Sequence, residues 1–477
     1  MANTPQIVTN IPARMDRLPW ARWHWLIVCG LGVTWILDGL EVTLAGAIGG
    51  VLKDSFHIND AQVGATATVY LIGAVVGALG FGYATDRLGR KRLFTITLGV
   101  YLIATLFTAC SWNFTSYLVF RLLTGMGIGG EYAAINSAID ELIPARVRGR
   151  TDLIINSTYW AGAALGAGAT VILLSGRMLP PTQGWRFAFG IGAVLGLIIL
   201  MVRHFIPESP RWLMTHGRHA EAERIVGDVE EIVARETGKA LPEPEDCPLT
   251  IHVRDHTPWG EIWDAMFRQN AKRSLLGLTL MVAQAFFYNA IFFTYALLLI
   301  RFYDVPAGRV GMYLLPFSLG NLLGPIFLGH LFDSIGRKRM IALTYSLSGI
   351  LLAITGWMFV QGILTATTQS IAWTVIFFIA SCAASSAYLT VSEIFPLEIR
   401  GMAISLFYAI GTLVGGVGAP WLFGYLIGTG SRVAVFWGYV AGATLMVVAA
   451  VVELAIGVNA EGQSLESISA PLTSRQR

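Results

Sequence analysis

Asp38 and Glu41 stand three residues apart in one long apolar stretch, and Arg121 lies in another. An ionised side chain in hydrocarbon costs at least about 2.5 to 3.5 kcal/mol on insertion scales, so such groups are read as functional. Positions i and i+3 of a helix share a face, which sets the two carboxyls side by side near the middle of the membrane. Carboxyls that close would resist ionising together and titrate as a coupled pair; the alternative for Asp38 is that it satisfies an inner backbone site. The chemistry open to them is uptake and release of a proton. Arg121 enters its stretch from the outer end, a turn or two deep, which brings it toward their depth. Glu131 lies deeper on the same stretch, where it either relays a proton or caps neighbouring helices.

A second constellation is uncharged. Gln284, Tyr288 and Tyr295 recur at intervals of four and seven, the spacing of one helical face, with Asn289 beside Tyr288 on a neighbouring one. With Asn321 and Tyr388 they offer hydrogen bonds among aromatic surfaces, which is what a small polar solute needs. The alternative for each tyrosine is an interfacial belt or a packed core.

The elements that position these groups follow from composition. With 55% hydrophobic residues, 13% charged and a mean hydropathy of +0.61, the chain carries more apolar surface than a soluble globule of its length can bury. Twelve apolar runs fall near 24–50, 63–84, 93–111, 114–138, 153–175 and 185–206, then 274–300, 309–331, 340–361, 371–391, 402–428 and 433–457. Each is long enough to cross roughly 30 Å of hydrocarbon as a helix. Barrel strands would alternate over about ten residues instead. The expected fold class is all-α: a polytopic membrane protein of twelve transmembrane helices, which the internal repeats of the chain divide into two pseudo-symmetric six-helix bundles. The expected division is a cytoplasmic segment 1–23, bundles 24–206 and 274–457, a cytoplasmic linker 207–273 and a cytoplasmic tail 458–477. In the linker, Ala222, Ile225, Val226, Val229, Ile232 and Val233 repeat at helical spacing opposite charged residues, predicting one amphipathic helix. Arg and Lys crowd the linker and the loops after alternate runs, which places those loops and both termini in the cytoplasm of a plasma or inner membrane.

The small net charge of +3 is scattered and reports topology, not a nucleic-acid partner. The four cysteines, Cys29, Cys110, Cys247 and Cys382, have neither disulfide nor metal spacing. No metal-spaced histidines, nucleophile elbow or phosphate loop appears, so neither an enzyme nor a cofactor is expected. The expected partners are a small solute, protons and the lipid bilayer, with the chain acting as a monomer.

The chain repeats itself. Gly82-Tyr83-Ala84-Thr85-Asp86-Arg87-Leu88-Gly89-Arg90-Lys91-Arg92 returns as Gly329-His330-Leu331-Phe332-Asp333-Ser334-Ile335-Gly336-Arg337-Lys338-Arg339, each copy closing an apolar run. Glu141, Pro144, Arg148 and Gly149 are spaced like Glu393, Pro396, Arg400 and Gly401. Such internal repetition around hydrophobic spans points to a transporter whose related bundles rock about a midplane site. The Gly-x-x-x-Asp-Arg-x-Gly-Arg-Lys-Arg turn resembles the signature of the major facilitator superfamily. Pro207-Glu208-Ser209-Pro210-Arg211-Trp212 and the Glu-x-x-Pro-x-x-x-Arg-Gly pair resemble the sugar porters and related organic-ion carriers. Asp38-Gly39-Leu40-Glu41 is similar to a motif of the aromatic acid:proton symporters, and Gly129-Gly130-Glu131 to one of the metabolite:proton symporters. Gln284 and Asn289 match the sugar-porter pattern of the seventh span, whereas Ala283, Phe293 and Thr294 depart from it.

The resemblance implies a carrier working by alternating access. It makes Asp86, Arg90, Asp333 and Arg337, with Glu141, Arg148, Glu393 and Arg400, a cytoplasmic latch of ion pairs; the alternative is that the cations only enforce topology. Arg121 opens Arg-x-x-x-Gly125-x-Gly127-x-Gly129-Gly130, which resembles the fourth-span motif that pairs an arginine with a first-span acid in proton-coupled sugar porters. That makes Glu41 the acid: burial favours its neutral form and the approach of Arg121 its ion, so a change of conformation loads and releases one proton. The alternative is a permanent ion pair that only holds two helices together. The glycines serve either close helix packing or ligand contact. The functional expectation is proton-coupled import of a sugar, polyol or organic or aromatic acid. Facilitated uniport and a transporter-like nutrient receptor are the alternatives.

Overall fold

The computed structural model describes residues 6–173, 180–203, 206–244, 248–254, 256–306 and 309–474. The ends of the runs expected at 153–175 and 185–206, and Cys247, include residues outside these.

Six helices come first: Arg22–Ala47, Asp60–Leu88, Arg90–Ala109, Phe114–Leu142, Arg148–Leu173 and Pro181–Arg203. The second group is Ala271–Phe292 continued by Tyr295–Tyr303, then Val310–Ser334, Arg337–Val360, Ala366–Ile394, Arg400–Gly428 in three joined segments, and Arg432–Ile456. Among the described residues ten helices are both long and apolar enough to cross a membrane. Phe114–Leu142 and Arg148–Leu173 complete the twelve by length, at 29 and 26 residues, and carry the buried polar groups described below. Two runs read as continuous are not. The seventh span breaks at Phe293–Thr294, and the eleventh widens to a π-helix over Thr412–Gly418. Such irregular backbone at membrane depth is tolerated where it lines a cavity.

Side-chain caps set the ends of several spans on the face away from the repeated turns. Asn59 accepts from the Gln62 amide at 2.9 Å, Asn113 from Ser116 at 2.7 Å and Thr365 from Thr368 at 3.2 Å, each satisfying an amide the helix leaves orphaned. At the other face, Gly89 and Gly336 take φ of 97° and 117° within the repeated turns, a region open to glycine. Gly125 and Gly129 sit against the Tyr70 and Ala74 backbones, where an added Cβ would collide with a carbonyl. These two glycines therefore serve close packing of the second and fourth spans.

The halves meet mainly where the fifth span packs on the eighth and the second on the eleventh. The linker carries the amphipathic helix, His219–Thr237, with Ala222, Val226, Val229 and Val233 buried and Ile232 exposed. It lies against the chain's beginning. Gln6–Thr9 pairs antiparallel with Leu249–His252, and Arg14 and Arg17 reach Glu230 at 2.6 and 2.5 Å. Burial alone would raise the Glu230 carboxyl, but hydrogen bonds from both arginines outweigh it and hold it below the usual range. A carboxyl depressed in the folded state adds stability at neutral pH that is lost as pH falls through the carboxylate range. Hydrogen exchange of Ile11–Asp16 is therefore expected to quicken on acidification before the spans respond. Glu230→Gln should remove that pH dependence.

Candidate functional site

A cavity of about 190 Å³ lies between the halves. The first half lines it with Trp35, Tyr70, Tyr132, Asn156, Tyr159 and Trp160, the second with Gln284, Tyr288, Asn289, Phe292, Tyr388 and Tyr408 among others. The broken seventh span and the π-helix both contribute, through Phe293 and through Thr412 and Gly416. Among the described lining residues none carries a formal charge.

Aromatic rings join the halves. Tyr132 stacks on Tyr408 with centroids 4.4 Å apart and on Tyr388 at 5.8 Å. Trp160 meets Tyr288 at 5.8 Å, Phe292 at 5.4 Å and Phe317 at 5.5 Å. Of the expected solute-binding groups, Gln284, Tyr288, Asn289 and Tyr388 reach the cavity; Tyr295 and Asn321 do not. The break at Phe293–Thr294 carries Tyr295 off the face it was expected to share, and its hydroxyl donates to the Tyr313 carbonyl at 2.9 Å beside Trp373. Asn321 sits fully buried behind the wall, accepting from the Tyr288 hydroxyl at 2.7 Å.

The ionisable groups lie next to this cavity. Arg121 and Glu41, 2% exposed each, form an ion pair; Glu41 also accepts from Thr105 at 3.0 Å, and the guanidinium lies 4.5 Å from the Tyr70 ring centroid. Asp38 accepts from the Tyr132 hydroxyl at 3.0 Å. A small void touches Asp38, Glu131, Tyr132 and Trp35. The proton-handling candidates thus share walls with the solute cavity: Tyr70 lies under Arg121, and Tyr132 is bonded to Asp38.

At the charged face all eight residues of the repeated motifs come together, with cross-bonding between halves. Asp86 accepts from the Gly401 and Met402 amides at 3.0 and 2.9 Å, and Asp333 from Gly149 and Arg150 at 3.1 and 2.8 Å. Each carboxylate thus meets the N-terminus of a helix in the other half, where orphan amides and the helix dipole favour an anion. Glu141 bonds Arg90 at 2.9 Å within its half and Arg400 at 3.1 Å across the interface. In pseudo-symmetric fashion Glu393 bonds Arg337 at 3.0 Å and faces Arg148 at 3.7 Å. With these bonds made, this face of the molecule is closed.

Other groups join this network without having been expected in it, although Glu208 and Arg211 stand in the motif at 207–212. Asp16 bonds both Arg148 at 3.1 Å and Arg211 at 2.9 Å, and Glu466 of the tail bonds Arg211 at 3.0 Å. Glu208 accepts from the Arg90 amide at 2.9 Å, and burial pushes its carboxyl up. In the cavity, Trp160, Tyr132 and Asn156 had a usable signal, being large or polar residues in apolar runs. Asp16, in a polar segment, had none.

Two helical bundles, a solute-sized cavity between them and a closed ion-paired face define a membrane transporter of the major facilitator fold. The sequence profile described as "Sugar (and other) transporter" matches residues 45–471, and the chain belongs to that family. It is similar to the niacin transporter NiaP of Acinetobacter baylyi (strain ATCC 33305 / BD413 / ADP1), 28% identical with 96% of this chain and 99% of that one covered. The 4-hydroxybenzoate transporter PcaK of the same organism is 26% identical, with 87% and 88% covered. The arabinose-proton symporter of Bacillus subtilis (strain 168) is 25% identical, with 85% and 86% covered. Among solved structures, the proton:xylose symporter XylE bound to 6-bromo-6-deoxy-D-glucose superposes with a TM-score of 0.76 at 19% identity, covering 94% of this chain and 98% of that one.

Proposed function

We propose that this transporter imports a small one-ring aromatic or heteroaromatic carboxylate together with a proton. The charged face and both termini lie in the cytoplasm, and the cavity faces alternately outward and inward. The observation that carries this reading is the aromatic, formally uncharged cavity beside a buried Glu41–Arg121 pair and Asp38. A cavity of about 150 Å³ suffices for a benzene ring, so this one admits a single ring with its substituents. Rings bind well between offset or edge-on aromatic faces, as Trp160, Tyr288 and Phe292 would supply, while Gln284, Asn289 and Asn156 offer amides to a carboxylate. Symport of an anion with one proton moves no net charge, which suits walls without fixed charge. Relatives named for niacin and 4-hydroxybenzoate support the same class.

In this account Glu41 and Asp38 are the proton carriers, Arg121 the cation that sets their charge state, and the paired motifs the cytoplasmic latch. The amides of Gln284 and Asn289 keep a neutral sugar or polyol as the second reading. Uptake of radiolabelled niacin, 4-hydroxybenzoate, xylose and arabinose into proteoliposomes with an acid outside separates the two. Accumulation of an aromatic acid is expected; accumulation of the sugars alone contradicts the proposal. Trp160→Ala removes the ring that spans the halves. It is expected to weaken binding by about 1.5 to 3 kcal/mol, seen as an approximately ten- to hundred-fold higher half-saturation concentration.

A further inference from the structure

The charged face holds more buried carboxyls than its guanidiniums pair. Arg90, Arg148, Arg337 and Arg400 engage Glu141, Glu393, Asp86 and Asp333, with Arg90–Asp86 at 3.3 Å and Arg337–Asp333 at 2.7 Å. Asp140 and Asp152, both fully buried, are left over and form no ion pair among the described residues. Among the described residues neither oxygen of Asp140 accepts a hydrogen bond as the side chains are placed, the neighbouring Ser392 turning its hydroxyl to the Leu389 carbonyl at 2.9 Å. Asp152 has one oxygen bonded, by Asn156 at 3.1 Å, and the other unpartnered. The charged groups facing this pair are Arg148 beside it, Glu393 from the tenth span, Arg337 from the ninth and Arg400 from the eleventh.

A polar file connects the pair to the solute cavity. Asn156 lines the cavity and reaches both Asp152 and, at 3.4 Å, Asn136. Asn136 donates to the Tyr132 carbonyl at 2.8 Å, and the Tyr132 hydroxyl donates to Asp38. Ser137, one residue from Asn136, is buried with its hydroxyl unpartnered. An isolated carboxylate buried this way is costly enough that the group neutralises instead.

We propose that Asp140 and Asp152 form a second proton site, separate from Asp38 and Glu41, which holds a proton while the charged face is closed and yields it to cytoplasmic water when that face opens. The inference rests on the proton-symport reading and adds the release step to it. Opening carries Glu393, Arg337 and Arg400 away with the second half and leaves Arg148 to the two aspartates. Water then reaches both carboxyls, and relief of their burial with Arg148 retained favours the carboxylate. The O–H bond of the acid breaks, its proton passes to water, and the new anion pairs with Arg148.

Infrared spectroscopy of the purified protein in lipid vesicles at pH 7, without substrate or gradient, tests this independently of any uptake assay. A protonated-carboxyl C=O band is expected, and Asp140→Asn with Asp152→Asn should lower its amplitude. Should the double variant fail to fold by circular dichroism, at least one single variant is expected to show the loss. Gly82 lies against Ser405 across the closed interface, so Gly82→Trp holds that face open and should lower the band as well. Spin labels at Arg87 and Ser334 check the opening. No band in the wild type, or an amplitude unchanged in the aspartate variants, overturns the site; an unchanged band in opened Gly82→Trp overturns release on opening.

Discussion

Glu41→Gln is expected to abolish accumulation of solute against a gradient while leaving exchange of labelled for unlabelled solute. The amide keeps the volume of the acid and can still accept from Thr105, which donates to Glu41 at 3.0 Å. It cannot hold or lose a proton, so Arg121 has no titratable partner in the first span at that point. A gradient of one pH unit is worth about 1.4 kcal/mol, or about tenfold accumulation at one proton per solute. The wild type should approach that ratio in proteoliposomes, and the variant should stop at unity. Exchange should persist because it needs only the movement between faces of a loaded carrier. If Glu41→Gln still concentrates solute, the pair with Arg121 is a structural tie and the proton travels elsewhere.

The second large effect is at the closed face. Glu141 is fully buried and bonds Arg90 and Arg400, themselves 2% and 1% exposed, from opposite halves. Glu141→Ala leaves two buried guanidiniums short of a carboxylate, and breaking a buried pair in this way costs about 3 to 5 kcal/mol. Only part of that bears on closure, because the Arg90 contact lies within one half. If half the loss falls on the closed state, its population relative to the open state drops by roughly tenfold to a hundredfold. Distances between spin labels at Arg87 and Ser334 should then shift toward a longer population. A distribution identical to that of the wild type would show that Glu141 holds its own half together and does not latch the two.

How far the sequence carried this account depended on how rare each signal is in an apolar chain. Charges in hydrocarbon are few, so Glu41, Asp38 and Arg121 stood out, and the structure sets Glu41 and Arg121 in direct contact. The repeated turns were legible because the same residues recur at the same offsets, and each of their aspartates binds the other half's helix terminus. Asn321 lies one hydrogen bond behind the cavity wall, held by Tyr288, and Tyr295 left its expected face for a definable reason. A helical face can be extrapolated only while the helix continues, and the seventh span stops at Phe293–Thr294. Asp140 and Asp152 flank the turn between the fourth and fifth spans, and no spacing or repeat in the sequence sets them apart from its other charges. Only burial and the tally of partners separate them from Glu141 and Glu393. The contribution of Asp16 rests on tertiary contacts alone, since nothing in its own segment distinguishes it from a solvated carboxylate.

The most direct measurement is of proton movement caused by the solute itself. Proteoliposomes loaded with a pH-sensitive dye and equilibrated at one pH on both sides are given niacin, then 4-hydroxybenzoate, outside; protein-free liposomes supply the background from passive permeation. Symport predicts that the lumen acidifies above that background in the wild type, in step with labelled solute entry, and that Glu41→Gln abolishes the excess. Solute entry through the protein with no excess acidification would contradict proton coupling and leave a facilitative carrier.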